Sequence, residues 1–262
     1  MIKTLSSRIG GLGVRLRNVL SRRMFSCVET CFSGVVLDVG GGSFYRYVRT
    51  RMPAVTRWIT LDPDATGLTK DDDQRHVNLV GDGCNLCFGD ATFDAVLNSQ
   101  VLEHVMEPLR MVAEVARVLK PGGYAIFLVP QTACVHLIPH CYGNFTIYWI
   151  RRALRENNLS IVEEAALGGF WRTILFRFLY FFCEAFRLPG FSDAGITRNR
   201  CFYALFPLMV LYILVSMPIL LLLQLGDLKE EPNNHLVVAR KDAPPMETRT
   251  PGVGRTSGTR NR

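Results

Sequence analysis

One short stretch constrains this chain more than any other: the β-branched run Val35-Val36-Leu37-Asp38-Val39 breaks directly into Gly40-Gly41-Gly42-Ser43. An apolar run of this length bounded by glycines reads as a buried strand, and Phe44 to Met52 can form the helix that follows. Glycines at such a turn let the backbone approach a ligand closely, while the start of the next helix offers free N–H groups. The same theme recurs downstream. Trp58 to Leu61 makes a second strand ending in Asp62-Pro63-Asp64, Val77 to Val80 a third ending in Gly81-Asp82-Gly83, and Phe93 to Asn98 a fourth. From Pro108 to Lys120, Leu109, Val112, Val115, Ala116 and Leu119 stand at helical spacing, stopped by Pro121-Gly122-Gly123, and Tyr124 to Val129 is a fifth strand. Thr146 can cap a helix through Ile150, Ala153 and Leu154, ahead of a sixth strand near Leu159 to Val162, and His235 to Ala239 reads as one more. Strands alternating with helices imply an α/β fold, a largely parallel sheet covered on both faces.

Charge is distributed unevenly. The 262 residues carry a net +7, yet residues 1 to 28 hold six basic residues and no acid, and the stretch from residue 239 onward carries +4, which leaves −3 for the middle. A slightly acidic body is a poor tracker of phosphates, so no nucleic-acid partner is expected, whereas basic ends flanking apolar material suit a membrane surface. Hydrophobic residues make up 48% of the chain, including 16 Phe, and this excludes disorder for the body. Eight cysteines follow no secreted disulfide framework. Cys84-Asn-Leu-Cys87 is a C-x-x-C without a second pair or a His pair at finger spacing, so no metal site is expected from it.

The ends and the segment before the last strand differ from a plain globular pattern. In residues 1 to 30, Ile2, Leu5, Ile9, Leu12, Leu16 and Leu20 form a helical stripe among arginines, which suits a surface-lying basic helix or, in a eukaryote, a mitochondrial transit peptide. Between Arg200 and Asp227 the chain has no charged residue, long enough to span a bilayer. Upstream, Arg172, Arg177, Glu184 and Arg187 share one helical face opposite Trp171, Ile174, Leu175, Phe178, Phe182 and Phe186, the pattern of a helix lying among headgroups. A last strand pairing in the main sheet forbids a lone crossing. The apolar segment must return, as a shallow hairpin broken near Pro207 or Pro218 or as an in-plane pair of helices; a soluble cover over the site mouth or a dimer seam is the alternative. From Asp242 on, Pro, Gly, Thr and Arg leave no apolar pattern, which predicts a disordered tail. The expected organisation is a basic segment at 1–30, a core at 31–169, an apolar helical insertion at 170–226, the last strand at 227–241 and a basic tail at 242–262.

Five ordered strings resemble the class I S-adenosylmethionine-dependent methyltransferases, in particular their small-molecule, methyltransferase type 11-like branch. Val36 to Gly42 looks like the first motif and Leu61-Asp62 like the acidic second; Gly81 to Leu86 looks like the adenine-contacting third. Ala91 to Val96 followed by Gln100-Val101-Leu102-Glu103-His104-Val105 is similar to the fourth, and Arg117-Val118-Leu119-Lys120-Pro121-Gly122-Gly123 to the signature before the fifth strand. The sequence departs from many members at Phe44, where they carry a third glycine. The resemblance implies a Rossmann-like, seven-stranded sheet with S-adenosylmethionine as cofactor. Asp38, Gly40, Gly41 and Gly42 would shape the pocket for its amino acid part, Asp62 would hold the ribose, Asp82 and Gly83 would meet the adenine, and Gln100 would line the methyl-transfer side. Asp94, at the start of its strand, would be structural. If the acceptor needs a base, His104, His136, His140 and Tyr142 are the candidates on loops facing the cofactor, His104 and His140 foremost. The expected function is methyl transfer to a small hydrophobic or membrane-held acceptor, such as a quinone precursor, an isoprenoid lipid or a lipid-linked sugar, at the cytoplasmic face of a membrane, or the mitochondrial inner membrane in a eukaryote. The alternative is a membrane-associated assembly protein that retains the fold without turnover.

Overall fold

The computed structural model describes residues 22–68, 72–186 and 198–243. The stripe from Ile2 to Leu20, Arg187 and the tail beyond residue 243 lie outside the described residues. Seven strands form one sheet in the order β3-β2-β1-β4-β5-β7-β6: β1 Gly34–Val39, β2 Val55–Asp62, β3 His76–Val80, β4 Phe93–Ser99, β5 Leu119–Pro130, β6 Leu159–Leu167 and β7 Asn234–Lys241. The first five are parallel to their neighbours, and β7 inserts antiparallel between β5 and β6. A last strand running backwards makes the sheet mixed rather than wholly parallel, because the insertion returns the chain at the end where β6 finishes, with Leu167 beside Asn234.

Both faces are buried. On one, Pro108–Val118 (α3) and Ile147–Glu156 (α4) lay Met111, Val112, Val115, Ile150 and Leu154 against Leu37, Val39, Val96 and Phe127. Thr146 caps α4 by accepting the N–H of Trp149, as its side chain and position predict. The other face is covered by Arg22–Cys31 (α1) and the four-residue helix Tyr45–Val48 (α2), shorter than the Phe44–Met52 expected. Met24, Phe25, Cys27 and Val28 of α1 pack with Val36, Trp58, Leu97 and Ile126, and Phe25 stacks on Phe44 at 5.9 Å. The last turns of the basic N-terminal segment therefore belong to the body of the domain: four apolar side chains on one face of α1 have an open sheet face to cover, while Arg23 stays outside and pairs with Glu163.

The insertion is a helical pair, Phe170–Ala185 (α5) and Arg200–Leu223 (α6). Its two ends meet: Asp227, just past α6, accepts the N–H of Trp171 at 2.7 Å, and Phe170 N–H donates to Leu228 O at 3.0 Å. Phe181 packs on Phe202 and Phe206, and Phe178 on Tyr212. The chain thus leaves the body and comes back at one point, as the pairing of β7 demands. The return is not made at a proline. α6 runs unbroken through Pro207 and Pro218, since each removes a single intrahelical hydrogen bond and the rest of the ladder holds. The charged face of α5 makes contacts within the protein: Arg177 donates to Thr132 O at 2.5 Å and Arg172 to Gln224 Oε1 at 3.0 Å, while Glu184 is buried and accepts from Tyr180.

Candidate functional site

The register brings the ends of three strands side by side. Val39 pairs with Leu61 on one flank and Asn98 on the other, and Asp62 pairs with Val80. The turns that follow, at Gly40, at Asp62-Pro63 and at Gly81, consequently open at the same carboxyl edge, where open parallel sheets bind ligands. The β1 turn is held by Gly40 N–H to Leu61 O at 2.7 Å and Phe44 N–H to Gly41 O at 2.8 Å. Gly40 has φ +70, and a Cβ there would stand 2.5 Å from Val101 Cγ2. At Gly41 a Cβ would overlap the Asp38 carboxylate. A side chain is excluded at both places, which leaves the backbone as the surface of the cradle.

Asp38 is fully buried, and neither carboxylate oxygen has a hydrogen-bond partner among the described residues. The indole N–H of Trp58 donates to Thr60 Oγ1. Burial pushes the Asp38 pKa up to about 8; the nearby Trp58 indole N–H opposes the rise, and the Asp62 carboxylate adds to it. Asp62, half-buried at the end of β2, accepts the N–H of Asp64 on Oδ1 at 3.0 Å, which keeps the β2 turn in place and leaves Oδ2 without such a bond among the described residues. Asp82 is exposed and closes its own turn by accepting Cys84 N–H at 2.8 Å. The vacant Cβ position of Gly83 faces Met111 and Val39, so that glycine seats the β3 turn on the core. Arg117 ties the same loop down through Leu86 O, Phe88 O and Asp90. Cys84 is buried with Sγ toward Glu107 O, whereas Cys87 is exposed, so the C-x-x-C does not converge on a ligand.

Gln100 follows β4 with φ +58, and its amide N–H₂ donates to Asn234 Oδ1 at 2.8 Å. It joins β4 to β7 at the carboxyl edge. Asp94 takes the structural place expected of it, accepting Val35 N–H at 2.8 Å and Lys120 at 2.7 Å. Beyond Gln100, the turn Leu102–His104 carries His104, whose Nδ1 lies 2.5 Å from His140 O. Burial lowers the His104 pKa. The His140 ring is exposed and meets Tyr142 OH at 2.9 Å. His140 therefore touches His104 through its backbone, and the two candidate bases do not point at a common spot. Two residues given no role by the sequence, Val101 and Glu103, stand at the site, and the candidate base His136 lies beside them. Val101 packs on the Gly40 turn, Glu103 is buried with burial raising its pKa to about 7, and His136 stacks edge-on against His104 at 4.7 Å. A carboxylate directly after the apolar pair Val101-Leu102 was the signal for Glu103.

The group that the motifs imply can be tried against this geometry. A cradle of backbone without side chains, a buried carboxylate with no partner and a second carboxylate on the neighbouring strand end together suit a ligand with a cationic amino acid end and a ribose, as S-adenosylmethionine has.

Residues 37–127 match the family described as "Methyltransferase domain". An uncharacterized methyltransferase of Mycobacteroides abscessus is 38% identical over 98 residues, 35% of this chain and 38% of that protein, and one of Mycolicibacterium gilvum is 34% identical over 95 residues, 35% and 37% respectively. The chain matches well under half the length of these curated relatives. Among solved structures, a methyltransferase in complex with the Haloferax volcanii Trm112 methyltransferase activator has a TM-score of 0.55 at 19% identity, covering 88% of this chain and 93% of that one. Phosphoethanolamine N-methyltransferase 2 of Haemonchus contortus, in complex with S-adenosyl-L-methionine, has a TM-score of 0.51 at 17% identity, covering 80% and 49%. Residues 37–127 thus carry the methyltransferase-domain signature, and the strand order, the glycine cradle with its two carboxylates and these likenesses give the chain the fold of the class I S-adenosylmethionine-dependent methyltransferases.

Proposed function

We propose that the protein transfers a methyl group to a small hydrophobic acceptor held at a membrane surface. The observation that carries methyl transfer is the buried, unpartnered Asp38 against Gly41, one strand from Asp62. Bound there, S-adenosylmethionine supplies an electrophilic methyl: the acceptor atom bonds to that carbon as the carbon–sulfur bond breaks, sulfur keeping the electron pair. What the chain must do is place an acceptor and exclude water. Asp62 and the Gly40–Gly42 backbone fix the donor side, and the loop after β5 closes the acceptor side by docking Tyr142 N–H on Glu103 O at 2.7 Å.

Support for a hydrophobic acceptor comes from what surrounds that loop. Val135, Leu137, Ile138 and Tyr142 are exposed, and Arg177 and Tyr180 of α5 hold the same loop through Thr132 O and Val135 O. Between α5 and α6 lies a cleft of about 300 Å³ lined by Arg177, Phe178, Phe181, Met209, Tyr212 and Ile213. Residues Arg200–Gly226 are long and apolar enough to cross a membrane, and Leu208, Leu211, Val215 and Leu222 face outward. A soluble domain rarely shows so continuous an apolar face. A hairpin that enters and leaves at one point would dip into the cytoplasmic leaflet, or the matrix leaflet of a mitochondrial inner membrane, with the active-site loop at its base. The test is incubation of detergent-purified protein with methyl-labelled cofactor and a total lipid extract. Label in the organic phase, lost in Asp62→Ala, is expected. Label confined to water-soluble products would remove the membrane acceptor, and no label in either phase would remove methyl transfer.

A further inference from the structure

Beside the cofactor cradle, at the end of β4, Glu103, His104 and His136 bring one ligand atom each to within 4.8 Å of one another. Glu103 is 1% exposed, and both its carboxylate oxygens lack a hydrogen-bond partner among the described residues. An ionised carboxylate so placed is costly unless a cation meets it. Among the described residues its one ion-pair partner is conditional: His104 Nε2 lies 3.8 Å from Glu103 Oε1, too long for a hydrogen bond.

The two imidazoles are arranged as metal ligands usually are. His104 Nδ1 lies 2.5 Å from His140 O and His136 Nδ1 lies 2.8 Å from Cys134 O. A carbonyl can only accept, so each Nδ1 carries the proton and each Nε2 presents a lone pair. Donation of the second ring N–H to a backbone carbonyl fixes the ring and the tautomer of ligating histidines. Around an ion with bond lengths of about 2.1 Å, tetrahedral ligand atoms stand roughly 3.4 Å apart, so the 3.8 Å between Glu103 Oε1 and His104 Nε2 needs little contraction. The C-x-x-C, by contrast, has Cys84 buried and Cys87 exposed.

We propose that Glu103, His104 and His136 form a site for one divalent transition-metal ion. Two imidazoles and a carboxylate suit zinc or its neighbours in the first row better than magnesium or calcium, which favour all-oxygen shells. Three protein ligands leave at least one coordination position for water or for an oxygen of a bound molecule. Val101, two residues before Glu103, packs on the Gly40 turn, so the ion would stand on the acceptor side of the cradle. An acceptor oxygen bound to it is a consequence that rests on the methyl-transfer reading; the ion site itself does not.

The test uses cobalt(II) as a spectroscopic probe on the full-length protein, in detergent if required. One equivalent should bind with the visible bands of a four- or five-coordinate nitrogen and oxygen site. Zinc should displace it, and either ion should raise the thermal midpoint. His136→Ala and Glu103→Gln should each weaken cobalt binding by roughly 100-fold or more, beyond the 10–100-fold that loss of an outer partner produces. Their folded state is checked by circular dichroism, and in both the metal-induced rise in midpoint should vanish. No cobalt bound to the parent, binding that survives both substitutions, or the intense thiolate-to-cobalt absorption of cysteine ligation would each overturn the site. Cobalt binding and methyl transfer are read separately, so failure of one is distinguishable from failure of the other.

Discussion

Gly41 is bare because Asp38 lies against it: the carboxylate occupies the volume that a Cβ would need, with no hydrogen bond to any described residue. This contact joins the strand that builds the core to the turn that faces the ligand. Gly41→Ala should therefore displace the turn or the carboxylate, and cofactor affinity is expected to fall at least tenfold, about 1.4 kcal/mol. Isothermal titration with S-adenosylhomocysteine reads it, and an unchanged affinity would show that the turn can shift freely.

The same burial gives a pH signature. Asp38 has a pKa of about 8 in the folded chain against an ordinary 3.8. A raised carboxyl holds, when folded, a proton that the unfolded chain has released, so its contribution to stability declines as pH climbs from about 4 to about 8 and is level above that. Asp38→Asn has no proton to lose. At pH 8 it should be the more stable chain, by something on the order of a few kcal/mol, with the advantage gone near pH 4. Parallel denaturation curves of the two chains across that range check the sign, and equal slopes would contradict the assignment.

α1 should be part of the folding unit. Phe25 is 5% exposed and stacks on Phe44, so Phe25→Ala is expected to cost about 3–5 kcal/mol. Thermal or chemical unfolding measures this. A loss below about 1 kcal/mol would mean that the helix is peripheral to the core.

How far the sequence foretold this architecture varied with the range of the interactions involved. Strands bounded by glycine or Asp-Pro turns were legible, since Val36 to Val39 and Phe93 to Asn98 carry their own periodicity and punctuation. Asp94 was read correctly as structural from its position alone, because a carboxylate at the start of a parallel strand faces the end opposite the ligand. The packing of α1 was hidden: Met24, Phe25 and Val28 fall in a stretch whose acid-free charge suggests a surface, and only the uncovered face made by Val36, Trp58 and Ile126 shows why they go inside. α6 was legible in length and composition but not in its path through Pro207 and Pro218. His104 and His136 were legible as candidate bases on loops, but their meeting with Glu103 was not, as His136 comes from the loop after β5 and reaches His104 through chain folding.

On α6, Leu208, Leu211 and Val215 are each about 60% exposed, so lysines there should leave the fold intact while opposing membrane contact. Each charge costs about 2.5–3.5 kcal/mol at membrane depth. The triple variant Leu208→Lys, Leu211→Lys, Val215→Lys should move from the membrane fraction to the supernatant with cofactor affinity unchanged. Sedimentation of the parent and the variant decides; a parent already in the supernatant would sink the membrane reading and leave the helical pair as a cover for the site.

The central claim is that one cradle, formed by the turn after β1 and the carboxylate that ends β2, binds the adenosyl cofactor. Titration of the purified full-length protein with S-adenosylhomocysteine tests it most directly. Saturable one-to-one binding, weakened by about 1–3 kcal/mol in Asp62→Ala, is the expected result. Absence of binding to the parent chain, or the same affinity in Asp62→Ala, would contradict it.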